Sequence, residues 1–342
     1  MQKIIILLET MAENSFAEIG KIEAIDRLYE GTPFKPCHAP GFETPAKGAQ
    51  VTSASRLLLE GIDFDLVYFP LRHLGYKAVL AVCGELYAKM SHPRTLSVSL
   101  GVSAKLDFPQ VKELWEGMVT AAKEHGFKAV DLDLTPSQNG LAISVSAVGE
   151  TSLLSAKRRA AAKSKDLVCV SGRLGAAYMG LRILQREKKF FESGGEVSLE
   201  VDKMLVQAYL KPELNPSTVS QLEEAEIYPS HGYFLTRGLA DAVKRLSVDS
   251  GLGVKIYASM IPFEGNTFQR GKEMDIDPIS AAMNGGDDYQ ILFTIPILSL
   301  EKFRKDFQTF DIIGHLALPE AGTVLVAPDG LEYPVTAQGW PE

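Results

Sequence analysis

Three features of the sequence predict a mixed α/β chain, part α/β and part α+β in character, folded as two lobes. The first is length: 342 residues exceed what one core of ordinary size organises, since domains usually run about 100–200 residues. The second is an alternation of short runs rich in β-branched residues with segments of helical periodicity. The third is an abrupt change of composition at Ser155-Ala-Lys-Arg-Arg-Ala-Ala-Ala-Lys-Ser-Lys165, directly after a strand-like run. That change sets the boundary between lobes near residues 150–160 and divides the chain into 1–152 and 153–342. The basic run itself reads first as a solvated helical face and second as an anion site.

In chain order, strands are expected at residues 96–100, 141–148, 167–170, 254–257, 291–295 and 323–326. Between Phe108 and Gly126 the apolar residues Val111, Leu114, Trp115, Met118 and Ala122 recur at helical spacing, and Gly126 supplies the stop. That helix covers a sheet with one face. A second one runs from about Leu239 to Asp249, with Val243 and Leu246 turned inward and Gly251 ending it.

Composition narrows the function classes. A hydrophobic fraction of 46% with 23% charged residues is ordinary for a globular chain and excludes disorder and coiled coil. With 35 basic against 43 acidic side chains the net charge is −8, so the field that draws nucleic acid or anionic lipid is missing. Neither nucleic acid nor membrane is an expected partner. Cys37, Cys83 and Cys169 are far apart and odd in number, which suits a reducing cytoplasm and neither a disulfide framework nor a zinc site. The apolar run from Ile4 to Leu8 is cut by Glu9 and is shorter than a signal-peptide core, so a cytoplasmic location is expected.

The histidines His38, His73, His92, His125, His231 and His315 show no metal-ligand spacing. Adjacent Cys37 and His38 would point to opposite sides of an extended segment, which removes them as a nucleophile and base pair. More chemistry resides in Asn284-Gly-Gly-Asp-Asp-Tyr289, where two glycines free the backbone and two carboxylates follow ahead of a buried strand. This reads equally as a loop presenting acids to a ligand and as a plain turn. Ser171-Gly-Arg-Leu-Gly175 follows a strand and opens a helix, a geometry that leaves amides for phosphate. Asp131 and Asp133 share one face of an extended segment, an arrangement that calls for a cation or a proton.

In order and spacing these segments resemble one family, the thiamine-monophosphate kinases of the AIR-synthase-like superfamily. The resemblance begins at Phe16-Ala-Glu-Ile-Gly20 and Ile25-Asp-Arg-Leu28, passes through Leu59-Glu-Gly-Ile-Asp-Phe-Asp65, Leu74-Gly-Tyr-Lys-Ala78, Glu85-Leu-Tyr-Ala-Lys-Met90 and Gly140-Leu-Ala-Ile-Ser144, and takes in Ser171 to Gly175, Gly285 to Tyr289 and Gly339-Trp340. It implies an N-terminal lobe whose strands join those of a second copy in a shared β-barrel, and an ATP site between lobes near the dimer interface. It also implies transfer of the γ-phosphoryl group of ATP to thiamine monophosphate by Mg²⁺ ions held on aspartates, a reaction run by positioning and charge neutralisation. Carried over residue by residue, it assigns catalytic roles to Asp133, Asp287 and Asp288, and metal binding to Glu85 and Asp133. It assigns nucleotide or phosphate contacts to Gly172, Arg173, Gly175, Gly285 and Gly286 and substrate contact to Trp340, and it places Arg56 and Arg237 at positions that face the same nucleotide phosphates.

The sequence departs from the family pattern in one direction. The Gly-Asp-Asp metal motif is replaced by His38-Ala-Pro-Gly-Phe-Glu-Thr-Pro45, and no aspartate occurs between Asp26 and Asp63. Thr-Thr-Asp becomes Ala54-Ser55-Arg56, Ser-Asp becomes Gly84-Glu85, and Asp-Ile-Ser-Asp-Gly-Leu becomes Phe234-Leu-Thr-Arg-Gly-Leu239. Two glycines before Asp133 give way to Asp131 and Leu132, and an aspartate to Ala176. An arginine ~5 Å from a Mg²⁺ ion would oppose it by roughly 6–7 kcal/mol at an effective dielectric of about 20. Arginine does bind phosphate through its planar fork. The expected function is therefore a kinase-like homodimer with a degraded Mg-ATP site that binds a phosphorylated small molecule or nucleotide. The alternatives are a working kinase using Glu85, Asp133, Asp287 and Asp288 with fewer metals, and a scaffold whose dimer is its product.

Overall fold

A computed structural model describes residues 15–37, 39–41, 45–196, 199–307 and 310–337, apart from the side chains of residues 200 and 306. The chain forms two compact units. One contains the described residues up to Ala46 together with Val51–Leu86 and His92–Glu150; the other contains Lys47–Gln50, Tyr87–Ser91 and the chain from Thr151 onward.

The first unit carries helices α1 (Phe16–Ile19), α2 (Lys21–Tyr29), α3 (Leu71–Ala88) and α4 (Phe108–Glu124), and strands β1 (Val51–Leu59), β2 (Ser91–Ser103), β3 (Ala129–Ser137) and β4 (Ala142–Thr151). The sheet order is β1-β4-β2-β3, with β1 antiparallel to β4 and β2 parallel to β3. A parallel pair needs a crossover, and α4 supplies it. Its start is locally specified: the Asp107 side chain accepts from the Gln110 amide, the Gln110 side-chain oxygen accepts from the Asp107 amide, and Pro109 fills the first turn. Val111, Leu114, Trp115, Met118 and Ala122 are all buried, and Gly126 ends the helix at φ +77°. Strand β3 alternates strictly, with Val130, Leu132 and Leu134 buried and Asp131, Asp133 and Thr135 on the opposite face.

Helices α3 and α4 cross at two glycines. A Cβ on Gly75 would sit 2.0 Å from the Leu114 carbonyl oxygen, and one on Gly117 would sit 2.0 Å from that of Arg72. Only hydrogen fits at either position. Helix α2, which the sequence does not announce, is pinned where Tyr29 donates to the Val130 carbonyl at 2.7 Å and packs its ring on Trp115 at 5.2 Å.

At the end of α4, buried His125 has its pKa pushed down to about 4, because burial disfavours the imidazolium. The unfolded chain binds the proton near pH 6.5 and the folded one only near 4. His125 therefore contributes stability above pH 6.5 that is lost as pH falls toward 4, roughly 3 kcal/mol over that window. Denaturant unfolding at pH 7.5 and 4.5 should show this loss, and His125→Gln should flatten it; equal pH dependence in both proteins would contradict the assignment.

The second unit contains α5 (Leu153–Arg158), α6 (Ala176–Glu192), α7 (Lys203–Leu210), α8 (Thr218–Glu224), α9 (Leu239–Ser250), α10 (Thr267–Met274), α11 (Pro278–Asn284) and α12 (Leu300–Asp306). Its strands are β5 (Leu167–Ser171), β6 (Gly232–Phe234), β7 (Gly253–Tyr257), β8 (Ile291–Ile295), β9 (Phe310–Ala317), β10 (Thr323–Val326) and β11 (Glu332–Pro334), in the sheet order β11-β10-β7-β9-β5-β8-β6. One face of this sheet packs Val168, Val170, Val254 and Ile256 against Val243 and Leu246 of α9 and Ala282 and Met283 of α11. On the other face, the rings of Phe293, Phe303, Phe307 and Phe310 form a cluster beneath α12.

All six expected strands and both expected helices are present. The basic run at 155–165 is helical only as far as Arg158. Arg159 turns extended and donates its Nε to the Pro229 carbonyl at 3.0 Å, which ends the helix there and removes the long helical face expected from the composition.

Candidate functional site

Within the second unit, three loops meet at one end of the sheet. The first runs from the end of β5 through Gly172 to Gly175 into α6; the second follows β6 through Arg237 and Gly238 into α9; the third, Gly285 to Gln290, leads from α11 into β8. Backbone bonds join the last two: the Asp287 amide donates to the Thr236 carbonyl at 3.1 Å and the Tyr289 amide to that of Leu235 at 3.0 Å. Side chains join the first and third, because Ser171 Oγ donates to Gln290 Oε1 at 2.9 Å and accepts from the Ile291 amide.

Glycine is required where these loops touch. Gly286 sits at φ +78° with the Thr236 carbonyl 2.9 Å from where a Cβ would be, and Gly238, at φ +89°, faces the Met283 carbonyl at 2.5 Å. Asp287 and Tyr289 also hold positive φ, at 59° and 54°. Backbone in this region is costly for L-residues and persists only where the surroundings over-determine it.

The two adjacent carboxylates differ. Asp288 is 5% exposed, and its Oδ1 accepts from the Gly175 amide at 2.9 Å, so a buried carboxylate occupies the positive end of α6. The Leu174 amide is likewise committed, to the Pro262 carbonyl at 2.9 Å. Two of the amides that the sequence offers to phosphate thus already have partners within the chain. Asp287 is only partly buried. Arg173 and Arg237 are exposed on the first and second loops, and among the described residues neither forms an ion pair. The side-chain oxygen of Asn284 is buried there without a hydrogen-bond partner among the described residues. Chemically, the cluster carries two exposed guanidinium groups without ion pairs among the described residues, together with the partly buried carboxylate of Asp287, on a glycine-bearing frame.

The role of Asp288 is testable. Asp288→Ala should cost about 1–3 kcal/mol by stranding a buried amide, whereas Asp288→Asn keeps an acceptor and most of the stability. Denaturant midpoints of the three proteins check this, and an alanine variant as stable as the wild type would contradict it.

The first unit holds the other predicted residues. Arg56 lies on β1 with one guanidinium nitrogen 3.8 Å from Asp63 Oδ1 and its Nε buried without a hydrogen bond. Asp63 in turn accepts from the Leu59 amide at 2.9 Å. Asp133 is ion-paired with Lys21 of α2. The sequence pattern asked for a cation beside this acid, and the chain supplies one from a helix more than a hundred residues away, with no local signal in the sequence. Glu85 is half-buried in α3. Trp340 and His38 lie outside the described residues, as does most of the 42–45 segment. Among the described residues no three His, Cys, Asp or Glu side chains gather as a metal site, and no helix is long and apolar enough to cross a membrane.

Comparison with known proteins places this geometry among relatives. Residues 44–151 match the family model for the N-terminal domain of AIR synthase related protein. Over 286 residues the chain is 27% identical to the thiamine-monophosphate kinase of Aquifex aeolicus, covering 84% of this chain and 88% of that protein. It is 24% identical to the thiamine-monophosphate kinase of Bacillus subtilis, covering 82% of each. Among solved structures, AaThiL complexed with AMPPCP and TMP superposes with a TM-score of 0.71 at 24% identity, over 93% of this chain and 96% of that one. E. coli HypE, a hydrogenase maturation protein, superposes with a TM-score of 0.70 at 16% identity, over 94% and 98%. The mixed α/β fold with two sheets is the one these structures share.

Proposed function

From a chain that belongs to the AIR synthase-related superfamily and has thiamine-monophosphate kinases as homologues over most of its length, we propose a kinase-like protein with a degraded Mg-ATP site. It binds a phosphorylated small molecule or nucleotide and transfers phosphoryl groups slowly or not at all. The observation that carries this reading is the pair of exposed, unpaired arginines, Arg173 and Arg237, on the loop cluster of the second unit. Arg237 stands where the resembling family has an aspartate.

The side chains suit phosphate better than Mg²⁺. A metal site needs carboxylates turned toward the ion; Asp288 is turned onto the Gly175 amide and Asp133 onto Lys21. Arginine forks need no metal to hold an oxyanion. Arg56, Gly172, Gly175, Gly285 and Gly286 belong to the proposed anion and nucleotide contacts, Asp287 and Glu85 to what remains of the acid set, and Trp340 to the substrate contact. The lobes of the proposed enzyme correspond to residues 1–152 and 153–342. Self-association through the N-terminal sheet is supported by edge strand β1, which exposes Val51 and Leu57. A cytoplasmic location is part of the same proposal.

Thermal-shift measurement with ATP, ADP, thiamine monophosphate and phosphate, each with and without Mg²⁺, tests the reading, since a ligand that binds the folded state raises the melting temperature. Stabilisation by a phosphorylated ligand that does not depend on Mg²⁺ is expected. Stabilisation only by ATP together with Mg²⁺ would favour a working kinase.

A further inference from the structure

The second face of the seven-stranded sheet is covered unevenly. Helix α12 and its phenylalanine cluster shield Phe293 of β8 and Phe310 at the start of β9. Over β5, the later part of β9 and β7 there is instead an open cavity of about 320 Å³. A β-bulge shapes its floor: the β5–β9 register shifts between Val168 and Cys169, so Ile312 and His315, three residues apart, line the same space together with Gly314. The walls are aliphatic, from Leu167, Ile312 and Met260.

Two polar features interrupt those walls. The Tyr257 ring stacks on His315 with centroids 5.8 Å apart and planes 26° from parallel, and its hydroxyl lies 3.4 Å from His315 Nδ1. Burial, with a smaller contribution from Lys255, lowers the His315 pKa, so the imidazole is neutral at pH 7 and offers one donor and one acceptor. Lys165 completes the rim. Its backbone is held at φ +76° where its amide donates to the Leu316 carbonyl at 2.7 Å, and its exposed ammonium has no ion pair among the described residues.

We propose that this open cavity is a binding site for a small aromatic carboxylate, its ring seated against Leu167, Ile312 and Met260 beside the Tyr257–His315 pair and its carboxylate at Lys165. An apolar hollow with a few convergent polar groups is the usual form of a small-molecule site; Lys255, across from His315, is already ion-paired with Glu332, so Lys165 at the mouth is the cation left to select an anionic head. The cavity lies wholly within the second unit and uses none of the residues assigned above to phosphate, so it stands or falls apart from the proposed function.

Calorimetric titration with 1-naphthoate, and with neutral 1-naphthalenemethanol as its uncharged counterpart, tests the site. Saturable one-to-one binding of the carboxylate is expected, undisturbed by added phosphate. Lys165→Met should weaken it about fivefold, the upper end for an exposed ion pair, and bring it level with the alcohol. Met260→Trp, at a half-exposed position, should fill the chamber and abolish binding of both, with an unchanged melting temperature showing that the variant is folded. Absence of saturable binding, binding that survives Met260→Trp, displacement by phosphate, or equal affinity of wild type for the acid and the alcohol would each overturn the proposal.

Discussion

Supplied with Mg-ATP and thiamine monophosphate, the protein should form thiamine diphosphate at least about a thousandfold more slowly than the ~1 per second at the low end of kinase turnover. In phosphoryl transfer the protein does little covalent chemistry; the rate comes from metal ions and charged groups that neutralise the transferring phosphoryl. Each factor of ten corresponds to about 1.4 kcal/mol of barrier. A thousandfold therefore needs only ~4 kcal/mol, less than the roughly 6–7 kcal/mol by which an arginine ~5 Å from a Mg²⁺ ion would oppose it at an effective dielectric of about 20. With Asp133 bound to Lys21 and Asp288 to the Gly175 amide, two of the acids assigned to the reaction are already engaged within the chain. Single-turnover phosphate transfer from labelled ATP measures this directly, and turnover near 1 per second would refute it.

The largest stability effect is expected in the first unit, at the crossing of α3 and α4. Gly117→Val should destabilise it by ~3 kcal/mol or more, at or beyond the usual upper range for overpacking. A Cβ there meets the Arg72 carbonyl oxygen at 2.0 Å, and Gly75 meets that of Leu114 at the same distance. Both obstacles are helix backbone, which cannot rotate aside as a side chain can, so the helices must separate and open the core around Leu74, Leu114 and Met118. Denaturant unfolding followed by the fluorescence of buried Trp115 reports on this unit. A change within about 0.5 kcal/mol would show that the crossing is softer than the geometry indicates.

The parts of the fold that could be read from the sequence are those specified locally. Helix α4 carries its own cap, its own apolar stripe and its own stop, and β8 and β10 begin and end where their β-branched runs do. Helix α2 could not be read because what holds it is distant: a tyrosine hydroxyl on Val130 and a ring on Trp115. The site divides in the same way. Glycines at 172, 175 and 286 take positive φ at sharp turns while Gly285 closes a helix, and the structure brings their loops together. What each acid does was not legible, because Asp287 and Asp288 are adjacent and chemically identical in the sequence, and only the fold turns Asp288 inward onto an amide 113 residues away. Lys21 beside Asp133 was hidden for the same reason.

The most direct measurement is calorimetric titration of phosphate and of ATP into the wild type and Arg237→Ala, each with Mg²⁺ and with a chelator. A degraded metal site carrying an arginine anion pocket predicts that both ligands bind the wild type without magnesium, more weakly as salt rises. The substitution should then cost roughly 1.5–3 kcal/mol, the scale of a hydrogen bond to a charged group. ATP binding that requires Mg²⁺ and is indifferent to Arg237→Ala would contradict it.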